Sequence, residues 1–165
     1  MMLQKILIAI GDSPDSEKIL AAGFTLAEKH NGQVLLLHIL NPLTPHGFET
    51  VASPLIGGIL PIIDDVAIRA YLEEWQKYEQ RGMQRLQSFA QQASDRGIKA
   101  EILQSFGDAG PMICDTAKNW SADSILMGRN QKSALNEIFL GSTSNYVLHH
   151  ALCSVVVIRL PALIG

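Results

Sequence analysis

The 165-residue sequence is poor in charge, in cysteine and in long apolar runs, and each scarcity excludes a class of protein. Charged residues make up 18% of the chain, the net charge is −3, and the Lys and Arg residues are scattered. Such a chain has no cluster of positive charge that would bind nucleic acid or an anionic membrane surface. No apolar run approaches the roughly 20 residues that span a bilayer. We therefore expect neither a nucleic acid nor a membrane as partner.

Cysteine is nearly absent: Cys114 and Cys153 are the two in the chain. They form no C-x-x-C pair and no disulfide framework, so buried free thiols are expected. The amino-terminal apolar run, ILIAI, is too short for the core of a signal peptide. These features together predict a protein of the reducing cytoplasm.

Hydrophobic residues are abundant, at 47%, which is typical of a globular chain. The length of 165 residues predicts one domain over residues 1–165. The near-continuous apolar runs KILIAI and VLLLHIL are typical of strands covered on both faces, as in a parallel sheet. Strands are predicted over 5–10, 34–40, 99–106, 124–128 and 154–160, and helices over 16–30, about 64–96, about 110–119 and 142–150. This alternation predicts an α/β fold, with one open parallel sheet and helices on both faces.

The long helix predicted from residue 64 carries an apolar stripe at steps of three and four residues. The stripe consists of Leu72, Trp75, Glu79, Gly82, Leu86, Phe89 and Ala93, and all but Glu79 are apolar or small. No basic groove accompanies the aromatic residues Trp75, Tyr78 and Phe89, so we expect them to belong to the core rather than to stack on nucleic-acid bases.

Residues 41–63 contain four prolines and three glycines, so no regular element is expected to run through them. The segment is also unusually apolar for a loop. Two interpretations remain open. One is a long connection packed over the sheet edge or into a subunit contact, and the other is a lid over a ligand pocket.

The carboxyl ends of the first and fourth strands are the expected ligand crevice, because ligands of open parallel sheets bind where the winding direction switches. These ends carry Gly11-Asp12-Ser13 and Gly128-Arg129-Asn130. Gly128 is expected to let the chain turn sharply off the fourth strand.

The start of the last helix has a composition that suits an anion. Gly141 allows a close approach of backbone to phosphate, and residues 142–144 supply amides and hydroxyls where the helix dipole favours negative charge. Arg129 and Lys132 add positive charge nearby. Because ordinary helix capping uses the same residue types, phosphate binding and simple capping both remain open.

No catalytic motif is present: the sequence has no G-x-S-x-G elbow, no H-E-x-x-H pair and no Walker-type phosphate loop. We assign no catalytic residue. His38 lies within a strand, so it is expected to be a packed, hydrogen-bonded core histidine. His149 and His150 end a helix, where a capping role is favoured over metal binding.

The loop after the fourth strand resembles that of the universal stress protein family. The family pattern is G-x2-G-x9-G-[ST], and this chain has Gly128-x2-Gln131-x9-Gly141-Ser142. The stretches KILIAIGDSPDS, LLLHIL and HHALCSVVVIRL resemble the family's first, second and last strands. The resemblance covers essentially the whole chain.

The resemblance implies a Rossmann-like sheet of order 3-2-1-4-5, homodimers paired through the last strand, and a stress-response regulatory protein. It implies bound ATP or a related adenine nucleotide, with Mg²⁺ as a further candidate, and at most slow ATP hydrolysis. The phosphate-holding residues that it implies are Gly128, Gly141, Ser142 and the amide of Thr143. Ile39 would line the adenine pocket, and Met127 would lie near the adenosine.

Two positions depart from the family pattern. Gly11 stands where the family has a nucleoside-contacting aspartate, and Asp12 follows it. Gln131 replaces the second glycine of the loop, at a cost of about 1–2 kcal/mol if that position needs a positive φ. The sequence therefore supports two hypotheses. One is a nucleotide-binding regulatory protein, and the other is a dimeric interaction module without nucleotide, in which residues 41–63 form a partner or lid surface.

Overall fold

The computed structural model describes residues 3–41, 65–128 and 141–159. In these ranges the chain alternates strands and helices, as the apolar periodicity predicts. The strands are β1 Lys5–Ile10, β2 Gln33–Leu40, β3 Lys99–Phe106, β4 Ser124–Gly128 and β5 Ser154–Ile158. The helices are α1 Ser16–His30, α2 Asp65–Asp95, α3 Ala109–Trp120 and α4 Ser142–His150. The apolar segment from residue 42 to residue 64, with both of its interpretations, lies outside the described residues.

The five strands form one parallel sheet in the order β3-β2-β1-β4-β5, which confirms the expected α/β architecture. In this register Ile10 pairs with His38, and Ala9 pairs with Met127. The carboxyl ends of β1, β2 and β4 therefore meet at one edge of the sheet. None of the helices formed by the described residues is long and apolar enough to cross a membrane.

Side chains alternate between the two faces of the sheet, and each face buries an apolar cluster under two helices. The cluster under α1 and α2 includes Ile6, Ile8, Ile10, Val34, Leu36, Phe24 and Leu86. The cluster under α3 and α4 includes Leu7, Leu35, Leu37, Ile125, Met127, Ile113 and Val147. Each such side chain contributes about 1.5–3 kcal/mol through its removal from water, so the two clusters fix both helical layers on the sheet.

The helix ends follow from local sequence. α1 ends at Asn31, whose φ of 49° is left-handed and whose amide donates to carbonyls of the last turn. The cap predicted at Asn31-Gly32 is thereby confirmed. Gly97, with a φ of 73°, follows the end of α2 in the same way.

The apolar stripe of α2 is confirmed along its second half, where Leu86, Phe89 and Ala93 are buried. The prediction is wrong for Leu72, whose side chain is 52% exposed. The carbonyl of Glu79 contacts Gln104, two residues before the end of β3. The first turns of α2 therefore extend beyond the sheet, and an apolar residue there has no strand beneath it.

Candidate functional site

The crevice at the carboxyl ends of β1, β2 and β4 brings together predicted ligand residues from separate parts of the chain. Ile39 and Met127 both lie on the sheet face that α3 and α4 cover. Met127 is buried, and Ile39 is half-buried near the end of β2. Ala9 of β1 lies on the same face and pairs with Met127. These apolar side chains lie together on one face of the sheet, and they include the two that the family resemblance implies for the adenosine, Ile39 and Met127.

The amino terminus of α4 lies on the same side of the sheet, since Val147 of this helix packs in the cluster that contains Met127. Ser142 is exposed, Thr143 is half-buried and Ser144 is buried. Among the described residues no side chain caps the first turn. Helix amides that lack an intrahelical acceptor, together with the dipole, favour an anion at this end.

Neither Gly141 nor Gly128 has a left-handed φ. Gly141 precedes α4 with φ −58° and ψ 159°, a region open to any residue. The dihedral angles of Gly141 therefore do not themselves require a glycine. Gly128 lacks a left-handed φ, and a Cβ atom on it would collide with Cδ1 of Ile19. Gly128 therefore allows close packing of β4 against α1. The sharp turn predicted after it stays a prediction, because residues 129–140 lie outside the described residues.

Arg129 and Gln131 lie outside the described residues, as does Lys132. Their contacts with phosphate groups remain predictions.

Asp12 makes hydrogen bonds on the α1/α2 side of the sheet. Its Oδ1 lies 3.0 Å from Nε2 of His38, and its Oδ2 accepts a 2.7 Å hydrogen bond from the Tyr78 hydroxyl. His38 is buried, and Tyr78 meets it edge-on with ring centroids 6.3 Å apart. Both carboxylate oxygens of Asp12 therefore have donors within the protein.

Gln104 determines which nitrogen of His38 carries the proton. Nε2 of Gln104 lies 3.2 Å from the Glu79 carbonyl and 3.2 Å from Nδ1 of His38. The amide group of Gln104 can donate one hydrogen to each, so Nδ1 accepts and the His38 Nε2–H donates to Asp12. The interpretation of His38 as a packed, hydrogen-bonded histidine is confirmed. The sequence did not predict the hydrogen bond of His38 to Asp12 or its ring contact with Tyr78.

Arg85 holds the backbone that follows β1. Its guanidinium donates to the carbonyl of Gly11 at 2.9 Å and to the carbonyl of Ser13 at 3.1 Å. The Gly11 carbonyl also accepts a 2.7 Å bond from the hydroxyl of Ser16, in the first turn of α1. We call residues 11–15 the β1–α1 turn. Donors from both α1 and α2 converge on it.

The pKa of Asp12 is lowered, chiefly by the hydrogen bond from His38. The Tyr78 hydrogen bond and the positive charge of Arg85 lower this pKa further, against an opposing effect of partial burial. The carboxylate is therefore ionised through the neutral range, and the network of Asp12, His38 and Tyr78 is intact there.

Acid should weaken the contribution of Asp12 to stability. Because its folded-state pKa lies below the unfolded value of about 3.9, the ionised carboxylate stabilises the fold at higher pH. This contribution is lost as the pH falls through the folded-state pKa. The side chain is 58% exposed, so solvent screening keeps the contribution below about 1 kcal/mol.

The measurement is the free energy of urea unfolding of the wild type and of Asp12→Asn between pH 6 and pH 2.5. We expect the wild type to be more stable at pH 6 and the difference to shrink below about pH 4. A difference that stays constant across the acid range would show that the charge of Asp12 contributes nothing.

Other polar features lie away from this crevice. A depression of about 650 Å³ at the amino ends of the strands is lined partly by Glu28 and Arg96, which form a two-point ion pair with each other at 2.7 and 2.8 Å. Open parallel sheets bind ligands at the opposite end.

His150 Nδ1 lies 2.8 Å from the Tyr146 carbonyl in the last turn of α4, which confirms a capping role for that histidine.

Cys114 and Cys153 are free, as expected, but they are half-buried rather than buried. Burial raises the pKa of both thiols, which keeps them protonated at neutral pH. Neither thiol is poised to act as a nucleophile.

Comparison with known proteins gives one consistent result. The model of the universal stress protein family matches residues 2–55 and 61–159. Universal stress protein Sll1388 of Synechocystis is 34% identical over 155 residues, which cover 94% of this chain and 97% of that protein. The solved structure of universal stress protein UspA from Lactobacillus plantarum superimposes with a TM-score of 0.66 at 22% identity, covering 96% of this chain and 99% of that one.

Two further solved structures contain a nucleotide. One is a universal stress protein in complex with cAMP, with a TM-score of 0.58, 14% identity and coverage of 96% of this chain and 98% of that one. The other is the Archaeoglobus fulgidus universal stress protein in complex with dAMP, with a TM-score of 0.55, 18% identity and coverage of 95% and 98%. At these identities the solved structures share the fold with this chain.

Proposed function

The chain belongs to the universal stress protein family, and we propose that it binds ATP or a related adenine nucleotide at the carboxyl edge of its sheet. One observation carries the proposal. The first turn of α4, without a side-chain cap among the described residues, lies on the same side of the sheet as the apolar pair Ile39 and Met127. Structures of the same fold in complex with cAMP and dAMP support an adenine nucleotide as the ligand class.

In this proposal the base lies against Ile39 and Met127, and the phosphates accept hydrogen bonds from the start of α4. Gly141 leaves room for the phosphates, and the hydroxyls and amides of Ser142 and Thr143 donate to them. The missing Cβ atom of glycine matters here, because a side chain would keep phosphate oxygens out of hydrogen-bonding distance of the backbone.

The remaining predicted contacts belong to the flanking loops. Gly11 would form the wall of the crevice on the β1 side, and Arg129 and Gln131 would approach the phosphates. No group of three metal-ligating side chains occurs among the residues that the structure describes. In the proposal Mg²⁺ accompanies the nucleotide phosphates.

Titration with nucleotides tests the proposal. With a Kd of about 0.1 mM, 1 mM ATP should stabilise the folded chain by about 1.4 kcal/mol, which raises Tm by roughly 3–6 °C. GTP and inorganic triphosphate at equal ionic strength serve as controls, since they retain the phosphates but lack adenine. We expect calorimetry to show tighter binding of ATP than of either control. If millimolar ATP neither stabilises the protein nor gives a binding isotherm, the proposal is wrong.

A second part of the proposal is a regulatory homodimer paired through β5. This strand forms one edge of the sheet, and Val156 on it is 37% exposed. An apolar edge strand favours pairing with another chain.

The alternative function, a dimeric interaction module that binds no nucleotide, gains support from Asp12, whose carboxylate is bound by His38 and Tyr78 within the protein. ATP titration distinguishes it from the nucleotide-binding protein.

A further inference from the structure

We propose that Tyr78 and Arg85 of α2 are positioning residues for the nucleotide site, and that they act through Asp12 and the backbone of the β1–α1 turn. The inference rests on the proposed function, because the turn that they hold forms one wall of the proposed crevice. It assigns to Asp12 a role in shaping the turn, rather than contact with the nucleotide.

Three consecutive residues of the turn are bound from one helix. Tyr78 donates to the carboxylate of Asp12 at 2.7 Å, and Arg85 donates to the carbonyls of Gly11 and Ser13 at 2.9 and 3.1 Å. Tyr78 and Arg85 are two helical turns apart on α2. α2 therefore donates hydrogen bonds to the side chain of Asp12 and to the backbone carbonyls on both sides of it.

Packing alone would hold this turn poorly. Residues 11–14 are exposed, and no atom lies within 4 Å of the point where a Cβ atom on Gly11 would be. A segment with few buried contacts opens locally at low cost in free energy. Hydrogen bonds therefore restrain the turn. They come from Tyr78 and Arg85 of α2, from His38 of β2 and from the Ser16 hydroxyl.

The direction of the Asp12 side chain separates it from the proposed ligand. Its partner His38 belongs to the strand positions that face α1 and α2, because Val34 and Leu36 of the same strand lie in the cluster under those helices. Ile39 and Met127 face the opposite layer. A carboxylate held on the α1/α2 side fixes the turn that borders the crevice without occupying the crevice itself.

We call the hydrogen bonds from Tyr78 and Arg85 to the β1–α1 turn the tethers. Removing them should weaken nucleotide binding, because a turn that has become mobile must be ordered when the ligand binds. We expect Tyr78→Phe and Arg85→Met each to raise the Kd for ATP about 3- to 10-fold. Phenylalanine keeps the ring of Tyr78, and methionine keeps most of the aliphatic length of Arg85. Methionine also removes the guanidinium carbon, which lies 5.4 Å from the centre of the Phe89 ring. Arg85→Lys should recover part of the affinity, because lysine can still donate to one carbonyl.

Arg81→Met is the matched control, since it removes a positive charge from the same helix one turn away, at an exposed side chain. We expect its Kd for ATP to stay within about 2-fold of the wild-type value. The double variant Tyr78→Phe/Arg85→Met should lose less affinity than the product of the two single losses, because both residues restrain one turn.

Hydrogen exchange gives a readout that a general loss of stability would not reproduce. The amides of Asp15 and Ser16 donate to Ser13 within the turn, so they should exchange faster in the tether variants while amides of β1 and β2 keep their protection. The Arg81→Met variant should leave all of these amides unchanged.

The outcomes separate the two proposals. If the wild type binds ATP and the tether variants bind it equally well, the positioning role is wrong and the nucleotide site stands. If the wild type binds no ATP, the proposed function fails and exchange at Asp15 and Ser16 alone decides whether α2 holds the turn. If hydrogen exchange at the amides of Asp15 and Ser16 is unchanged in the double variant, Tyr78 and Arg85 do not restrain the turn, whether or not the wild type binds ATP.

Discussion

Replacing Gly82 with alanine should destabilise the fold by about 1–3 kcal/mol, although alanine is the better helix former by about 1 kcal/mol. A Cβ atom at this position would collide with the amide nitrogen of Gln104 and lie 2.8 Å from Nδ1 of His38. Gln104 could withdraw, but the buried ring of His38 would then lose its donor, at a cost of about 1–3 kcal/mol. His38 is itself held by Asp12.

Urea unfolding at neutral pH measures this effect. Gly11→Ala is the control for a glycine substitution in open space, since nothing lies within 4 Å of its added Cβ atom. We expect that control to change the free energy of unfolding by less than about 0.5 kcal/mol. Adding Gln104→Ala to Gly82→Ala should cost less than the sum of the two single changes, because the collision partner is removed. A Gly82→Ala variant as stable as the wild type would show that His38 and Gln104 repack freely.

Most of the fold was predictable because its elements are encoded locally. Buried parallel strands need continuous apolar runs, and KILIAI and VLLLHIL supply them. Helix ends need residues that tolerate a left-handed backbone or that stop a helix, and Asn31 and Gly97 stand at those points. The strand order came from the family resemblance, since local patterns do not specify which strands become neighbours.

The polar network around Asp12 was beyond sequence reasoning for a physical reason. Asp12 is 26 residues from His38 and 66 residues from Tyr78, so no local spacing links them. The apolar stripe of α2 predicted that Gly82 faces the sheet, but not that His38 would be the side chain beneath it. Tyr78 was expected in the core for its aromatic ring, and it is half-buried with its hydroxyl on a carboxylate.

The ligand crevice was predicted in outline. Parallel strands end at a common edge, so residues that follow β1 and β4 had to approach each other. The family resemblance implied Met127, and the structure pairs it with Ala9 on one face of the sheet. The side-chain direction of Asp12 was not predictable, because a turn outside regular structure follows no such period. The structure places Asp12 on the α1/α2 side, with His38 and Tyr78.

Gly141→Asp should weaken ATP binding at least 10-fold, or by about 1.4 kcal/mol, without weakening the fold. The φ of −58° and ψ of 159° at Gly141 are open to a side chain, so aspartate fits the backbone that precedes α4. Its carboxylate can accept hydrogen bonds from the amides of Thr143 and Ser144, as an N-cap aspartate does. The donors that the phosphates need would then be occupied, and a negative charge would face the negative phosphates.

The two effects have opposite signs, which makes the experiment decisive. Aspartate at an N-cap is about as good as glycine or a few tenths of a kcal/mol better, so the free energy of unfolding without nucleotide should hold or rise slightly while ATP affinity falls. Gly141→Asn has nearly the same size and the same capping ability but no charge, so it should lose less affinity than Gly141→Asp. The gap between these variants should narrow from ATP to AMP, because fewer phosphate charges face the carboxylate. If Gly141→Asp binds ATP as tightly as the wild type, the start of α4 does not hold the phosphates, and a nucleotide would have to bind elsewhere on the sheet edge.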